Sequence, residues 1–169
     1  MEIRLHYIEQ GEGFPLILLH GNGEDHTYFK RQMEPFADHF RVIAVDTRGH
    51  GESPRGTGPF TLSQFAEDLK SFFDQHGISK CHLLGFSDGG NVALLFALKY
   101  PDRVERLILN GANLDPCGVK LKTQIPIVLG WGLCRLCALF SQQAKQNWEM
   151  LNLMVTQPHI HRAELAGLD

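Results

Sequence analysis

The sequence lacks the features that would direct the chain to a membrane or to nucleic acid. Its longest apolar segment, residues 125–140, is interrupted by Arg135 and is shorter than the roughly 20 residues of a membrane-spanning helix. Lys and Arg form no basic stripe and the formal net charge is −3, whereas phosphate binding needs clustered cations. The N-terminus, MEIRLHYIEQ, has no basic region followed by an apolar one. We therefore expect a cytoplasmic protein without a signal peptide or a membrane span, and one that does not bind nucleic acid.

Cysteine is also scarce, with four residues in the chain. Cys134 and Cys137 form a C-x-x-C, a spacing found in redox pairs and in zinc half-sites. No second ligand pair stands at zinc spacing, and the two cysteines lie within an apolar helical pattern. We expect buried thiols that act as small hydrophobes. No metal site and no cofactor are predicted.

What the chain does contain is a regular alternation of apolar runs and helical patterns. Buried strands are predicted for PLILLHG, RVIAVD and KCHLLGFS, and helices for residues 27–39, 62–76 and 88–100. Thr61 is a predicted N-cap and Gly77 a predicted C′ residue of the middle helix. This order predicts an α/β fold with a mostly parallel sheet flanked by helices. After about residue 119 the pattern predicts helices alone.

The stretch GFSDGG, residues 85–90, predicts a nucleophilic serine. Ser87 follows an apolar strand and precedes a helix, the context of a strained strand-to-helix turn known as a nucleophile elbow. Gly85 and Gly89 leave room for the chain segments that pass at such a turn. The helix N-terminus near Asp88 offers backbone N–H groups to a developing oxyanion.

A second glycine-rich segment, His20 to Gly23, follows another buried strand. An oxyanion in acyl transfer needs two donors, one after the serine and one from a different loop. The backbone N–H of Asn22, between Gly21 and Gly23, is the predicted second donor.

Four segments together resemble the α/β-hydrolase fold superfamily, namely LLHGNGED, VIAVDTRGHGES, LLGFSDGG and ALKYPDRVERLIL. The resemblance spans residues 5–112. Within the superfamily, the chain looks most similar to the branch of cap-bearing esterases, haloperoxidase-like enzymes and carbon–carbon hydrolases. It implies a core in residues 1–118, containing strands 2 to 6 of the family fold, and a helical cap region in residues 119–169.

The same resemblance implies roles for individual residues. Ser87 is the expected nucleophile, and the Asn22 and Asp88 N–H groups are the expected oxyanion hole. His20 is similar to the strand-end histidine that braces the oxyanion loop. Arg48 and His50, in the motif DTRGHG, are expected to be structural.

The chain departs from the family where the catalytic acid and histidine are expected. The superfamily orders its triad as serine, acid, histidine, and the sequence ends in or just after the predicted cap. The last family strands are therefore expected to be missing. Asp115, which follows the sixth family strand, is a candidate acid, and His20, His159 and His161 are candidate bases. A serine without a base is a poor nucleophile, so residues 1–169 alone are expected to turn over inefficiently.

The predicted last strand, VERLILNGA, would have one open edge, which favours self-association or binding of a complementing C-terminal fragment. The sequence thus predicts a serine hydrolase that acts on a small ester or related acyl substrate. Three alternatives stay open: an acyltransferase, a cofactor-free peroxidase on the same scaffold, and a non-catalytic truncated homologue.

Overall fold

The structure is a computed structural model that describes residues 3–113, 120–156 and 165. Contacts divide the chain into two compact units, with a boundary between Ala112 and Asn113. The predicted core-to-cap boundary at 118/119 lies outside the described residues.

A five-stranded sheet forms the centre of the first unit. Its strands are β1 Tyr7–Gln10, β2 Pro15–Leu19, β3 Arg41–Val45, β4 Cys81–Phe86 and β5 Val104–Asn110. The spatial order is β1-β3-β2-β4-β5, with β1 antiparallel to β3 and every other pair parallel. The prediction of a mostly parallel sheet is confirmed.

The apolar runs explain which strands are central. Most of β2 and β3 is buried, as expected for parallel strands that are covered on both faces. In β5, by contrast, Ile108 and Leu109 are 48% and 41% exposed, and the strand pairs with β4 on one side only among the described strands.

Three α-helices accompany this sheet: α1 Lys30–Ala37, α2 Leu62–Gln75 and α3 Asp88–Lys99. The prediction for α2 is confirmed at both ends, because Thr61 Oγ1 accepts a hydrogen bond from the Gln64 N–H (3.1 Å) and Gly77 has a φ of +62°. The helix predicted over residues 27–39 is shorter than expected. It begins as a 3-10 helix, His26–Phe29, and α1 ends at Ala37. The Asp25 side chain sets this start by accepting a hydrogen bond from the Thr27 N–H.

The second unit contains α4 Leu121–Cys137 and α5 Gln142–Val155. The two helices are joined by a hydrogen bond from Trp131 Nε1 to Asn152 Oδ1 (3.1 Å). The search of the described helices finds none that is both long and apolar enough to cross a membrane.

The cysteines of α4 correct one prediction. Cys134 is half-buried and Cys137 is exposed, so these thiols are not the buried pair expected from the sequence. Several apolar side chains of α4, among them Leu129, Leu133 and Leu136, are also exposed. Cys81 on β4, in contrast, is buried, and burial raises the pKa of its thiol to about 12.

Candidate active site

Ser87 lies between the end of β4 and the start of α3. Its backbone has φ 53° and ψ −120°, and it is the one non-glycine residue with positive φ among those described. Such a conformation costs on the order of 1–3 kcal/mol and persists only where the surrounding structure enforces it. The Ser87 N–H donates to the carbonyl oxygen of Asn110 at the end of β5 (2.8 Å), which holds the turn in place.

Two glycines make this turn sterically possible. A Cβ atom on Gly85 would collide with the backbone of Gly89, and a Cβ on Gly89 would collide with the carbonyl oxygens of Leu19 and His20. The start of α3 therefore packs directly against the end of β2. No larger residue fits at either position without a backbone shift.

The loop after β2 lies beside the serine. A Cβ on Gly21 would stand 3.2 Å from Ser87 Cβ. The loop is a tight turn in which the Gly21 N–H donates to Glu24 Oε2 (2.9 Å) and the Glu24 N–H donates to the Gly21 carbonyl (3.2 Å). Gly23 has a φ of +75°, and Asn22 is half-buried between the two glycines.

The N-terminus of α3 is also directed at this region. The N–H groups of Gly90 and Asn91 both donate to the Ser87 carbonyl (2.9 and 3.1 Å). The N–H groups of Asp88 and Gly89 lie before the first hydrogen bonds within α3, so no carbonyl of this helix accepts from them. The partial positive charge of the helix terminus lies at the same place and favours negative charge there.

His20 is buried and is held by both ring nitrogens. Its Nε2 accepts a hydrogen bond from the Thr47 N–H (3.0 Å), so the proton lies on Nδ1, which donates to the Gly21 carbonyl (2.7 Å). Burial lowers the pKa of His20, which keeps the ring neutral. The ring thus links the end of β3 to the loop that contains Asn22. Neither nitrogen is available to accept a proton from Ser87.

No other histidine in the described ranges hydrogen bonds to the Ser87 hydroxyl either. His6 and His26 contact the Asp46 carboxylate, and His50 Nδ1 contacts the Arg48 carbonyl (3.1 Å). The remaining three described histidines pack elsewhere: His39 is exposed, His76 contacts Tyr7 and Phe72, and His82 contacts Phe14 and Phe40. The candidate residues Asp115, His159 and His161 lie outside the described residues.

The segment after β3 is held by a buried ion pair. Arg48 Nε and Nη2 each donate to one oxygen of Asp68 at 2.6 Å, and both side chains are about 5% exposed. His50 is buried next to this pair, and burial lowers its pKa to about 4. Two hydrogen bonds to one carboxylate fix the loop against α2.

One group of side chains in the described structure has the spacing of metal ligands. It consists of His6, His26 and Asp46. No metal site is predicted from the sequence, where successive members of this group stand 20 positions apart and form no local motif. The pairing of β1 with β3 brings His6 and Asp46 together.

One groove lies away from Ser87. It has a volume of ≈650 Å³ and lies on the β4–β5 part of the sheet, with Phe40, His82, Leu84 and Ile108 among its lining residues. This surface includes Ile108 of β5, which pairs with no strand other than β4 among the described strands.

Comparisons with known proteins agree with this geometry. The family model described as "alpha/beta hydrolase fold" matches residues 15–133. A 2-hydroxy-6-oxononadienedioate/2-hydroxy-6-oxononatrienedioate hydrolase of Escherichia coli is 36% identical over 155 residues, which cover 88% of this chain and 52% of that protein. Mouse epoxide hydrolase 4 is 40% identical over 111 residues, or 63% of this chain and 31% of that protein.

Among solved structures, an esterase from Thermogutta terrifontis is similar, with a TM-score of 0.68 and 29% identity. The match covers 93% of this chain and 63% of the esterase. The chain therefore spans about half the length, or less, of these two curated relatives.

Proposed function

Because the chain belongs to the α/β-hydrolase fold family, we propose that it is a serine hydrolase that cleaves a small ester or related acyl compound. The observation that carries this proposal is the strained backbone of Ser87, at the start of α3 and beside the Gly21 loop. Backbone strain of this kind occurs mainly at functional sites, where the surrounding structure maintains it.

In the proposed reaction, Ser87 Oγ attacks the carbonyl carbon of the substrate. The carbonyl π electrons move to oxygen, and the backbone N–H groups of Asn22 and Asp88 donate hydrogen bonds to the resulting oxyanion. The Ser87 proton passes to a general base during the attack, the oxyanion collapses with cleavage of the bond to the alcohol oxygen, the base returns the proton to the departing alcohol, and an acyl group stays on Ser87. Water then hydrolyses this ester and restores the hydroxyl. The chemistry uses no cofactor.

The glycines and His20 have supporting roles in this proposal. Gly85 and Gly89 allow the elbow to pack, and Gly21 and Gly23 allow the loop to approach the serine. His20 holds the loop through the Gly21 carbonyl. It is a positioning residue, because its ring nitrogens are both occupied.

We further propose that the general base lies outside the described residues. The seven described histidines leave the Ser87 hydroxyl without a ring partner. His159 and His161 stay candidates, as does a histidine on a complementing C-terminal segment, and Asp115 stays the candidate acid.

The open edge of β5 is the proposed place for self-association or for such a segment. Ile108 and Leu109 are exposed there on opposite faces of the sheet, and Ile108 lines the groove. An exposed apolar edge strand favours pairing with another strand. Light scattering should show a concentration-dependent dimer or larger species that Ile108→Lys reduces, and a strictly monomeric chain would contradict the self-association proposal.

A carbon–carbon hydrolase is the second candidate, favoured by the 36% identity to the Escherichia coli enzyme. Its substrate would be a 2-hydroxy-6-oxo dienoic acid rather than an ester. Parallel assays with that class of acid and with p-nitrophenyl esters separate the two candidates by their relative kcat/KM.

The proposal is tested by ester hydrolysis with Ser87→Ala and a matched serine variant. We expect p-nitrophenyl acetate hydrolysis to fall at least 10²-fold in Ser87→Ala and to be unchanged in Ser79→Ala, whose side chain is exposed and remote from the elbow. Equal activity in Ser87→Ala and the unchanged chain would overturn the acyl-enzyme mechanism.

A further inference from the structure

Three side chains from distant parts of the sequence converge at the β1–β3 end of the sheet. His6 precedes β1, His26 opens the 3-10 helix, and Asp46 follows β3. The β1–β3 pairing continues past the strand, because the Asp46 N–H donates to the His6 carbonyl (3.0 Å). The positions of His6 and Asp46 are therefore fixed by the sheet, and His26 is joined to Asp46 by its backbone N–H.

The separations within this group are close to those in a metal site. Asp46 Oδ2 lies 2.9 Å from His6 Nδ1 and 3.0 Å from His26 Nδ1. One potential ligand atom from each residue lies within 4.8 Å of the others. Zinc–nitrogen and zinc–oxygen bonds of about 2.0–2.2 Å put neighbouring ligands of a tetrahedral ion about 3.3 Å apart. Small side-chain rotations are enough to admit an ion.

The carboxylate is already oriented by the backbone. Asp46 is fully buried, and it accepts hydrogen bonds from the N–H groups of His26 (2.6 Å) and Glu52 (3.0 Å). A Cβ on Gly51 would collide with this carboxylate, so the chain makes room for it. Outer hydrogen bonds of this kind orient the ligating carboxylates of known metal sites.

The site is also open on one side. The His6 and His26 side chains are 29% and 15% exposed, which gives an ion a path to the buried carboxylate. Glu52 Oε2 lies 3.7 Å from His6 Nε2, the ring nitrogen that does not contact Asp46, so Glu52 is outside the group of potential ligands. Water would fill the remaining position of a four-coordinate ion.

We propose that His6, His26 and Asp46 bind a divalent transition-metal ion of the Zn²⁺ class. Two imidazoles and one carboxylate are ligands that such ions accept. The bound ion would join the first strand, the start of the 3-10 helix and the end of β3. Since His26 follows the loop that contains Asn22, the ion would also anchor the far end of that loop.

The competing interpretation is a hydrogen-bonded brace, in which both ring N–H groups donate to Asp46 and no ion binds. The two interpretations differ in their response to zinc. A brace is insensitive to added Zn²⁺, whereas an ion that binds only the folded state raises its stability by mass action.

The test uses the full chain after treatment with a chelator, followed by titration with ZnCl₂. We expect one ion per chain by calorimetry, and a rise in Tm of about 5 °C or more at a hundredfold excess over Kd. His6→Ala and His26→Ala should bind at least tenfold more weakly. His39→Ala is the matched control, because His39 is an exposed histidine outside the group.

Two further sets of variants test whether zinc binds at His6, His26 and Asp46. A Cys134→Ser/Cys137→Ser variant should bind zinc as the unchanged chain does, which excludes the thiols of α4 as the ligands. His6→Gln and His26→Gln serve if the alanine variants fail to fold. Absence of saturable zinc binding to the unchanged chain, or equal binding by the His6, His26 and His39 variants, would overturn the proposal.

Discussion

The sheet-containing unit buries its largest apolar side chains, whereas the helical unit exposes many of its own. Around the sheet, large side chains such as Phe72, Phe73 and Phe96 are at most 2% exposed. In the helical unit, Leu139 and Phe140 are 80% and 90% exposed. A large apolar side chain is stabilising where it leaves water, so the first set stabilises its unit and the second contributes little.

Glycine shows the same contrast. Gly85 and Gly89 lie where backbone segments meet, and a Cβ at either position would collide with main-chain atoms. Gly132 in α4 has no atom within 4 Å of its potential Cβ. Close packing of the backbone therefore excludes a side chain at Gly85 and Gly89, whereas the position of Gly132 in α4 has room for one.

Arg48→Met should have the largest effect on stability, because it leaves the buried Asp68 carboxylate without its charged partner. We expect a loss of about 3–5 kcal/mol in the free energy of unfolding, measured by urea denaturation. The matched control is Glu9→Gln at the half-exposed Arg41–Glu9 pair, which should cost less than about 1 kcal/mol. Similar losses in both variants would contradict the structural role given to Arg48.

Gly89→Ala should be the next most damaging change, with a loss of about 3 kcal/mol or more, because the new methyl group meets two carbonyl oxygens of β2 and its loop. Gly132→Ala, its counterpart in the helical unit, should instead be stabilising by about 0.5–1 kcal/mol through helix propensity. Thermal unfolding of the two variants side by side makes the measurement. A harmless Gly89→Ala would show that the elbow is looser than described.

His50 should make the stability of the core pH-dependent. Its pKa is about 4 in the folded chain because the ring is buried, against an ordinary value of 6.5. Between those two values the unfolded chain binds a proton that the folded chain does not, so stability falls as the pH falls. The loss from this group alone is about 2 kcal/mol at pH 5 relative to pH 8.

Urea denaturation of the unchanged chain and of His50→Gln across this pH range isolates that contribution. The variant should show a shallower decline below pH 6.5. Parallel curves for the two proteins would mean that His50 does not titrate as its burial implies.

Phe140→Ser should have the smallest effect, within about 0.5 kcal/mol, because the side chain is already 90% exposed. Phe96→Ser on α3 is its buried counterpart and should cost several kcal/mol. If Phe140→Ser were equally damaging, the helical unit would have a covered apolar surface of its own, and the contrast between the units would fail.

Local geometry explains which features were predictable from sequence. The elbow needs glycines two residues before and after Ser87, and this requirement is readable in GFSDGG. The N-cap Thr61 and the C′ residue Gly77 are equally local signals. The order of buried strands followed from continuous apolar runs in β2, β3 and β4.

The features that were missed depend on contacts between distant residues. Arg48 and Asp68 are 20 positions apart, and no local pattern pairs them. The same holds for His6 and Asp46, which meet because β1 lies beside β3, and for His26, which reaches Asp46 from the 3-10 helix. The exposure of Cys137 was mispredicted because helical periodicity identifies an apolar face without showing what covers it.

The central claim is that Ser87 is a nucleophile, and covalent labelling tests it most directly. The purified chain would be treated with a fluorophosphonate and digested, and the modified peptide identified by mass spectrometry. We predict a single adduct on Ser87, lost in Ser87→Ala and retained in Ser79→Ala. An adduct on another residue that persists in Ser87→Ala would contradict the account, whereas a folded chain that gives no adduct would place the general base outside residues 1–169.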